Sequence, residues 1–301
     1  MVGGIAGRRP TAPRELALLA ELLVHHGQPV TIDHVVDELP ALSATRQPPH
    51  VIHTLVSRLR KRLADTGGPE AAGLLVTFGS SYLLRVDDET LDALLFDRLI
   101  GEARRACASA AAVGCAALTT ALDLWRGAPL EDVCCESRCV EAERLRLEEL
   151  RAEAVEERAE LLLTMGAHAQ VASDLMPQLQ RHPLRERLSA LLMLALYRAG
   201  RGADALAAYQ ATRARLAEDI GIDPGPQLRQ LHERILRADP SLDVGGLSTA
   251  TAARVALAVP VTPRARSTIA GSRPGLTRAG TTPRRLRVAP PTQRDQRSGR
   301  N

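Results

Sequence analysis

Between Leu39 and Ala64 the chain carries five basic side chains, Arg46, Arg58, Arg60, Lys61 and Arg62, and no acidic one. Short polar groups are interleaved with them: His50, His53, Thr54 and Ser57. Guanidinium and ammonium groups neutralise phosphates, while hydroxyl and imidazole groups are small enough to reach base edges in a major groove. At about 100° per residue, Ile52, Val56, Leu59 and Leu63 fall within one stripe of a helix, with Leu55 and Val51 widening it. His50, Thr54, Ser57 and Lys61 lie opposite, with His53 and Arg58 on the flanks and Arg60 and Arg62 nearer the apolar edge. A helix over Pro49–Ala64 is about 24 Å long, enough to lie across a major groove. The competing reading is an ordinary amphipathic helix with a solvated basic face.

Other chemistries find no support in the spacing. Lys61 is the only lysine, so a phosphate-cradling loop of the G-x-x-x-x-G-K-[ST] type is excluded. There is no H-E-x-x-H, no G-x-S-x-G, and no G-x-G-x-x-G after a strand. Glu148-Glu149 and Glu156-Glu157 sit among arginines on a helix and read as a solvated charged face. No catalytic residues and no cofactor are expected, and the chain does not read as an enzyme. The five cysteines are Cys107, Cys115, Cys134, Cys135 and Cys139, an odd number that argues against a disulfide framework. Cys134, Cys135 and Cys139 are close together, but no histidine is near them in sequence and their spacing fits no zinc pattern, so no metal site is expected. They read as small buried hydrophobes. His25-His26 ends a helix, where imidazoles meet the last carbonyls.

The elements that must position the basic helix follow from the apolar pattern. Thr11 is placed to cap a helix that has Pro13 in its first turn, carries Leu16, Leu19, Leu22 and Leu23, and stops at Gly27. Thr31 caps a second, short helix through Val35, Val36 and Leu39 to Pro40. After a loop at 43–48 comes the basic helix, then a Gly67-Gly68-Pro69 turn. Leu74–Phe78 and Tyr82–Val86 read as strands of a hairpin closed by Gly79-Ser80-Ser81. Three helices and a hairpin make a winged helix-turn-helix, whose third helix enters the major groove and whose hairpin touches the flanking backbone. Ser80, Ser81 and Tyr82 thereby join the expected DNA-binding residues.

From Leu91 to about Arg237 the pattern is helical: Leu91–Cys107, Gly114–Trp125, and a long helix Cys139–Met165. Gly166 and Gly200 are 34 residues apart, and Leu162 matches Leu196, and Leu175 matches Tyr209, at the same offset. That period is the tetratricopeptide spacing.

Aromatics are scarce, so the core must be Leu, Ala and Val, which favours helices. The net charge of +4 hides a division: residues 241–301 hold 11 Arg and two Asp, leaving −5 for residues 1–240. From Leu242 the chain is rich in Pro, Thr, Arg and Gly without periodicity, and is expected to be disordered. No apolar run reaches the roughly 18 residues of a membrane span, and the N-terminus lacks a signal-peptide core, so the expected location is cytoplasmic with no membrane partner.

Three segments together resemble one family. They are V-S-R-L-R-K-R-L (Val56–Leu63), T-F-G-S-S-Y-L-L-R-V (Thr77–Val86), and the stretch after His182 with H-P-L-R-E-R-L, L-M-L-A-L-Y-R-A-G-R, A-L-A-A-Y and D-I-G-I-D-P-G-P-Q-L-R-Q-L-H. They look like the Streptomyces antibiotic regulatory proteins, over about residues 14–242. The resemblance implies a mainly α chain in which a response-regulator-type winged helix precedes a tetratricopeptide-like bacterial transcriptional activation domain. The expected divisions are 1–88, 89–241 and the tail 242–301. It further implies a pathway-specific activator of a secondary-metabolite gene cluster, with promoter repeats in double-stranded DNA and RNA polymerase as partners. The oligomeric state is left open, a homodimer on DNA included. Members usually open with a small sheet of about three strands, and their second helix ends in a Trp-Gly element. Here the first helix begins near residue 13 and the second ends in Leu39-Pro40-Ala41, so the winged helix is expected to be truncated at its N-terminus, with Leu16, Leu19 and Leu23 partly wet. The alternative function is a helical-repeat interaction module that has lost DNA binding.

Overall fold

The computed structural model describes residues 12–87, 89–106 and 110–243. The first helix, α1 (Pro13–Val24), has proline in its first turn, where a missing N–H costs nothing. Its N-cap is Ala12, without a side-chain cap, and Thr11 lies outside the described residues. Thr31 does cap α2 (Ile32–Glu38), its hydroxyl accepting the His34 N–H at 3.1 Å. A further turn of helix, α3 (Pro40–Ser43), occupies part of the connection after α2. The basic helix α4 runs Pro48–Gly67, longer at both ends than its apolar stripe requires. A 3-10 helix (Pro69–Leu74) follows where a simple turn was expected.

The hairpin forms from β2 (Leu75–Phe78) and β3 (Ser81–Leu84), with Phe78 opposite Ser81 and Leu75 opposite Leu84. A strand that sequence reading assigned to a helix lead-in, β1 (Val30–Thr31), pairs antiparallel with β3, giving the order β1-β3-β2. Two residues are too few to show a period-2 pattern. The core beneath is aliphatic: Leu18, Leu22, Val35, Leu42, Ile52, Val56, Leu59, Leu75 and Leu84 are all buried.

The remainder is helical: α5 (Asp92–Ala106), α6 (Ala111–Asp123), α7 (Arg138–Thr164), α8 (His168–Arg181), α9 (Glu186–Arg198), α10 (Gly202–Asp219) and α11 (Pro226–Leu236). Helices α5, α6 and α7 share a core of Phe96, Ile100, Leu118 and Leu147, with Trp125 edge-on to Phe96 at 5.3 Å. The 34-residue repeat is visible in the backbone. Gly166 (φ +82°) and Gly200 (φ +75°) end α7 and α9 in left-handed turns. At each, the N–H two residues past the helix cap returns to a carbonyl five residues back, Ala167 to Leu162 and Arg201 to Leu196, both at 2.9 Å. These are the same Schellman closure made twice.

Leu242, where the tail was expected to begin, instead belongs to the core. It is buried beside α9, and its carbonyl accepts from Arg198 Nε at 2.7 Å. Residues 244–301, which carry the rest of that expectation, lie outside the described residues.

The winged helix is held against α7. Ala20 of α1 packs with Val133 and Val140, with Val24, Leu130 and Cys135 around them. Ser137 caps α7 through Val140 N–H at 3.1 Å and donates to the buried Glu21 carboxylate at 2.7 Å. Arg138 gives its backbone N–H (2.9 Å) and guanidinium (2.8 Å) to Glu38. Segment 130–140 thus covers one side of α1, while Leu16, Leu19 and Leu23 remain half-buried.

Candidate nucleic-acid interface

The apolar stripe of α4 decides which of its polar residues face outward. With Ile52, Val56 and Leu59 buried, His50, His53, Thr54, Ser57, Arg58 and Lys61 project into solvent from the opposite face. Thr54 Oγ1 donates to the His50 carbonyl (3.0 Å) and Ser57 Oγ to the His53 carbonyl (2.9 Å). Both hydroxyls keep their lone pairs free to accept, as a base amino group would require. Arg58 is exposed, its Nη1 3.8 Å from the nearest carboxylate oxygen, Glu15 Oε1.

Four other residues expected to meet DNA are engaged internally. Arg60 Nε donates to the Leu75 carbonyl and Nη2 to Thr77 Oγ1, each at 2.8 Å, so its guanidinium ties the basic helix to β2. Arg62 Nε is 2.7 Å from Glu15 Oε2, an ion pair with a carboxylate enclosed by α1 and α4. Ser81 and Tyr82 are buried, since β3 is the central strand and both its neighbours cover them. The Tyr82 hydroxyl meets His53 Nδ1. Burial pushes the Tyr82 phenol upward against the opposing effect of nearby Arg60. Ser80 alone of the three wing residues is exposed.

The wing also presents Phe78, 67 % exposed at the hairpin tip, and Arg85 beyond β3; sequence reading passed over both. The signal was available in T-F-G-S-S-Y, where an aromatic at the tip of a hairpin is opposed only by the small Ser81. Arg46, exposed just before α4, completes the basic surface.

Away from this face, the described cysteines depart from expectation. Cys134 is exposed and Cys115, Cys135 and Cys139 are half-buried, so none is a fully enclosed hydrophobe; Cys107 lies outside the described residues. His25 Nδ1 and His26 Nδ1 do meet terminal carbonyls of α1, those of Glu21 and Leu23, at 3.0 Å. Histidines 25 and 34, distant in sequence from Cys139, are brought beside it by the packing of α1 and α2 on α7.

A family model described as the bacterial transcriptional activator domain matches residues 91–236. The regulatory protein DnrI of Streptomyces peucetius is 35 % identical over 255 residues, which span 83 % of this chain and 93 % of that protein. The chain belongs to the Streptomyces antibiotic regulatory protein family. Within this family the regulatory protein AfsR of Streptomyces griseus is 41 % identical over 235 residues, covering 77 % of this chain but 23 % of AfsR. The chain therefore spans about a quarter of that longer relative. Among solved structures, Mycobacterium tuberculosis EmbR in complex with a low-affinity phosphopeptide aligns with a TM-score of 0.75 at 33 % identity, over 82 % of this chain and 65 % of EmbR. The winged helix followed by a helical repeat is thus an architecture this chain shares with EmbR. No helix among the described residues is long and apolar enough to cross a membrane.

Proposed function

We propose that the chain is a DNA-binding transcriptional regulator that activates a secondary-metabolite gene cluster. In this reading α4 lies in the major groove of a promoter repeat. Thr54, Ser57, His50 and His53 meet base edges, Arg58 and Lys61 meet phosphates, and Ser80 with the wing tip meets the flanking backbone. The observation that carries it is the outward row on α4, six polar or basic side chains with no acidic one among them. The helical repeat, matched by the activator-domain model, is the surface for RNA polymerase. The protein acts where the chromosome is, in the cytoplasm, and performs no catalysis.

The test is a gel shift with promoter fragments from the gene cluster that encodes the chain, across a range of salt. Wild type is expected to bind with an affinity that falls steeply as salt rises. Lys61→Ala weakens binding to every sequence and reduces the salt slope by about one, while Ser57→Ala costs about 1–3 kcal/mol at one base position if it reads that base. A folded chain that binds none of these fragments overturns the reading in favour of an interaction module that has lost DNA binding.

A further inference from the structure

Among the described residues four carboxylates are buried, and three of them hold an arginine. Glu15 pairs with Arg62, Glu38 with Arg138 and Glu156 with Arg185. Glu21, fully enclosed, is different. Its ion-pair partners are two imidazoles: His34 Nε2 lies 2.9 Å and His25 Nδ1 3.3 Å from Oε1. A buried carboxylate without a matching cation is strongly unfavourable. The site is built to receive positive charge, and its own side chains indicate what kind.

Besides Glu21, His25 and His34, Cys139 enters the same cluster from the first turn of α7. One ligating atom from each of the four residues lies within 4.8 Å of every other. Two imidazoles, one thiol and one carboxylate form a donor set suited to a tetrahedral zinc-class ion. Bonds of about 2.0–2.3 Å to such an ion would set the donors roughly 3.3–3.6 Å apart, so the widest separation must contract by about 1 Å. His25, His34 and Cys139 are half-buried and have the freedom to do so. The outer support is in place. Ser137 Oγ holds Glu21 Oε2 at 2.7 Å, leaving Oε1 for the ion, and the N-terminal turn of α7 favours an anionic ligand at Cys139. The two histidine rings already stand edge to face, 4.9 Å between centroids.

We propose that Glu21, His25, His34 and Cys139 bind one divalent zinc-class ion that clamps the winged helix to the helical repeat. Three ligands come from α1, its C-terminal turn and α2, and the fourth from α7, so the ion bonds the two parts of the molecule together. The site lies apart from the outward face of α4 and does not depend on that face binding DNA.

The experiment uses the full chain, purified without metal-affinity steps, stripped with EDTA and titrated with Co²⁺ and Zn²⁺. The expected result is one equivalent bound, a cobalt spectrum with tetrahedral d–d bands and a thiolate-to-metal charge-transfer band, and a thermal transition that rises with zinc by mass action. Cys139→Ser abolishes the charge-transfer band while keeping the wild-type transition in EDTA, and His34→Gln weakens binding at least tenfold. Should either variant fail to fold, the wild-type cobalt spectrum decides alone. Substoichiometric uptake, octahedral cobalt without a thiolate band, or a transition indifferent to zinc overturns the proposal and leaves the cluster as a hydrogen-bonded network.

Discussion

Arg62 Nε lies 2.7 Å from Glu15 Oε2, joining the basic helix α4 to the first helix of the chain. Arg62 is two-thirds enclosed, and Glu15 almost entirely so. The arginine that ends the basic run is thus a half-buried counter-ion, and its neighbour Lys61 is the solvent-facing charge.

The pair separates two roles that composition alone merges. Arg62→Ala leaves Glu15 enclosed with only the distant Arg58 nearby, and is expected to destabilise the winged helix by about 2–3 kcal/mol. For a chain of this size that lowers the melting temperature by roughly 4–12 °C. Lys61→Ala should leave the transition unmoved. Thermal unfolding of the two variants side by side checks this, and equal transitions would contradict the assignment of Arg62.

Arg60 spans from α4 to the hairpin, so its loss should be read in the wing. Arg60→Ala removes the donors to the Leu75 carbonyl and Thr77 hydroxyl. We expect faster amide exchange in β2 and a loss of about 1–2 kcal/mol of stability. Arg60→Lys is expected not to restore it, since one ammonium cannot reproduce the two-point span of a guanidinium. Full rescue by lysine would argue that charge alone matters there.

Gly200 is a test of the repeat itself. Its φ of +75° is one that L side chains rarely adopt, yet a Cβ there would meet nothing within 4 Å. The cost of Gly200→Ala is therefore backbone strain without a clash, about 1–2 kcal/mol. Gly200→Val adds β-branching and should cost more. Gly166, with φ +82° and equally open space, should give the same increments. Chemical denaturation of the four variants checks whether the two turns are equivalent.

A pH effect is expected at the end of the described chain. The Asp239 carboxylate accepts from Ser241 Oγ (2.6 Å), Ser241 N (2.9 Å) and Arg234 Nε (3.0 Å), which hold its pKa down to about 2 from 3.8. Because the folded value is the lower one, the unfolded chain binds the proton first as acid is added. The contribution to stability is whole above pH 3.8 and is lost as pH falls toward 2. Carboxyl-carbon NMR titration of Asp239 checks the value; a midpoint near 3.8 would show that the turn before Leu242 does not hold it.

Much of this was readable from residue order. The stripe Ile52, Val56, Leu59 and Leu63 placed α4 and its outward face, because a 3.6-residue period is a local property. The pairing of Leu162 with Leu196 was likewise visible, and both turned out to accept the same Schellman bond. What escaped notice was non-local. That Arg60 and Arg62 are occupied depends on Leu75, Thr77 and Glu15, which only packing brings near. His25 and His34 lie beside Cys139 across more than a hundred residues, a proximity that sequence neighbours do not disclose. Strand β1 was too short to leave a pattern, and the burial of Tyr82 follows from its central place in a sheet that β1 completes.

Helix α1 is engaged near both of its ends. Glu15, in its first turn, is held by the basic helix, and Glu21, about 9 Å further along the axis, is held from α7 through Ser137. The same rigid rod is therefore a lever with both ends loaded. In this chain two carboxylates six positions apart on one short helix touch both parts of the molecule.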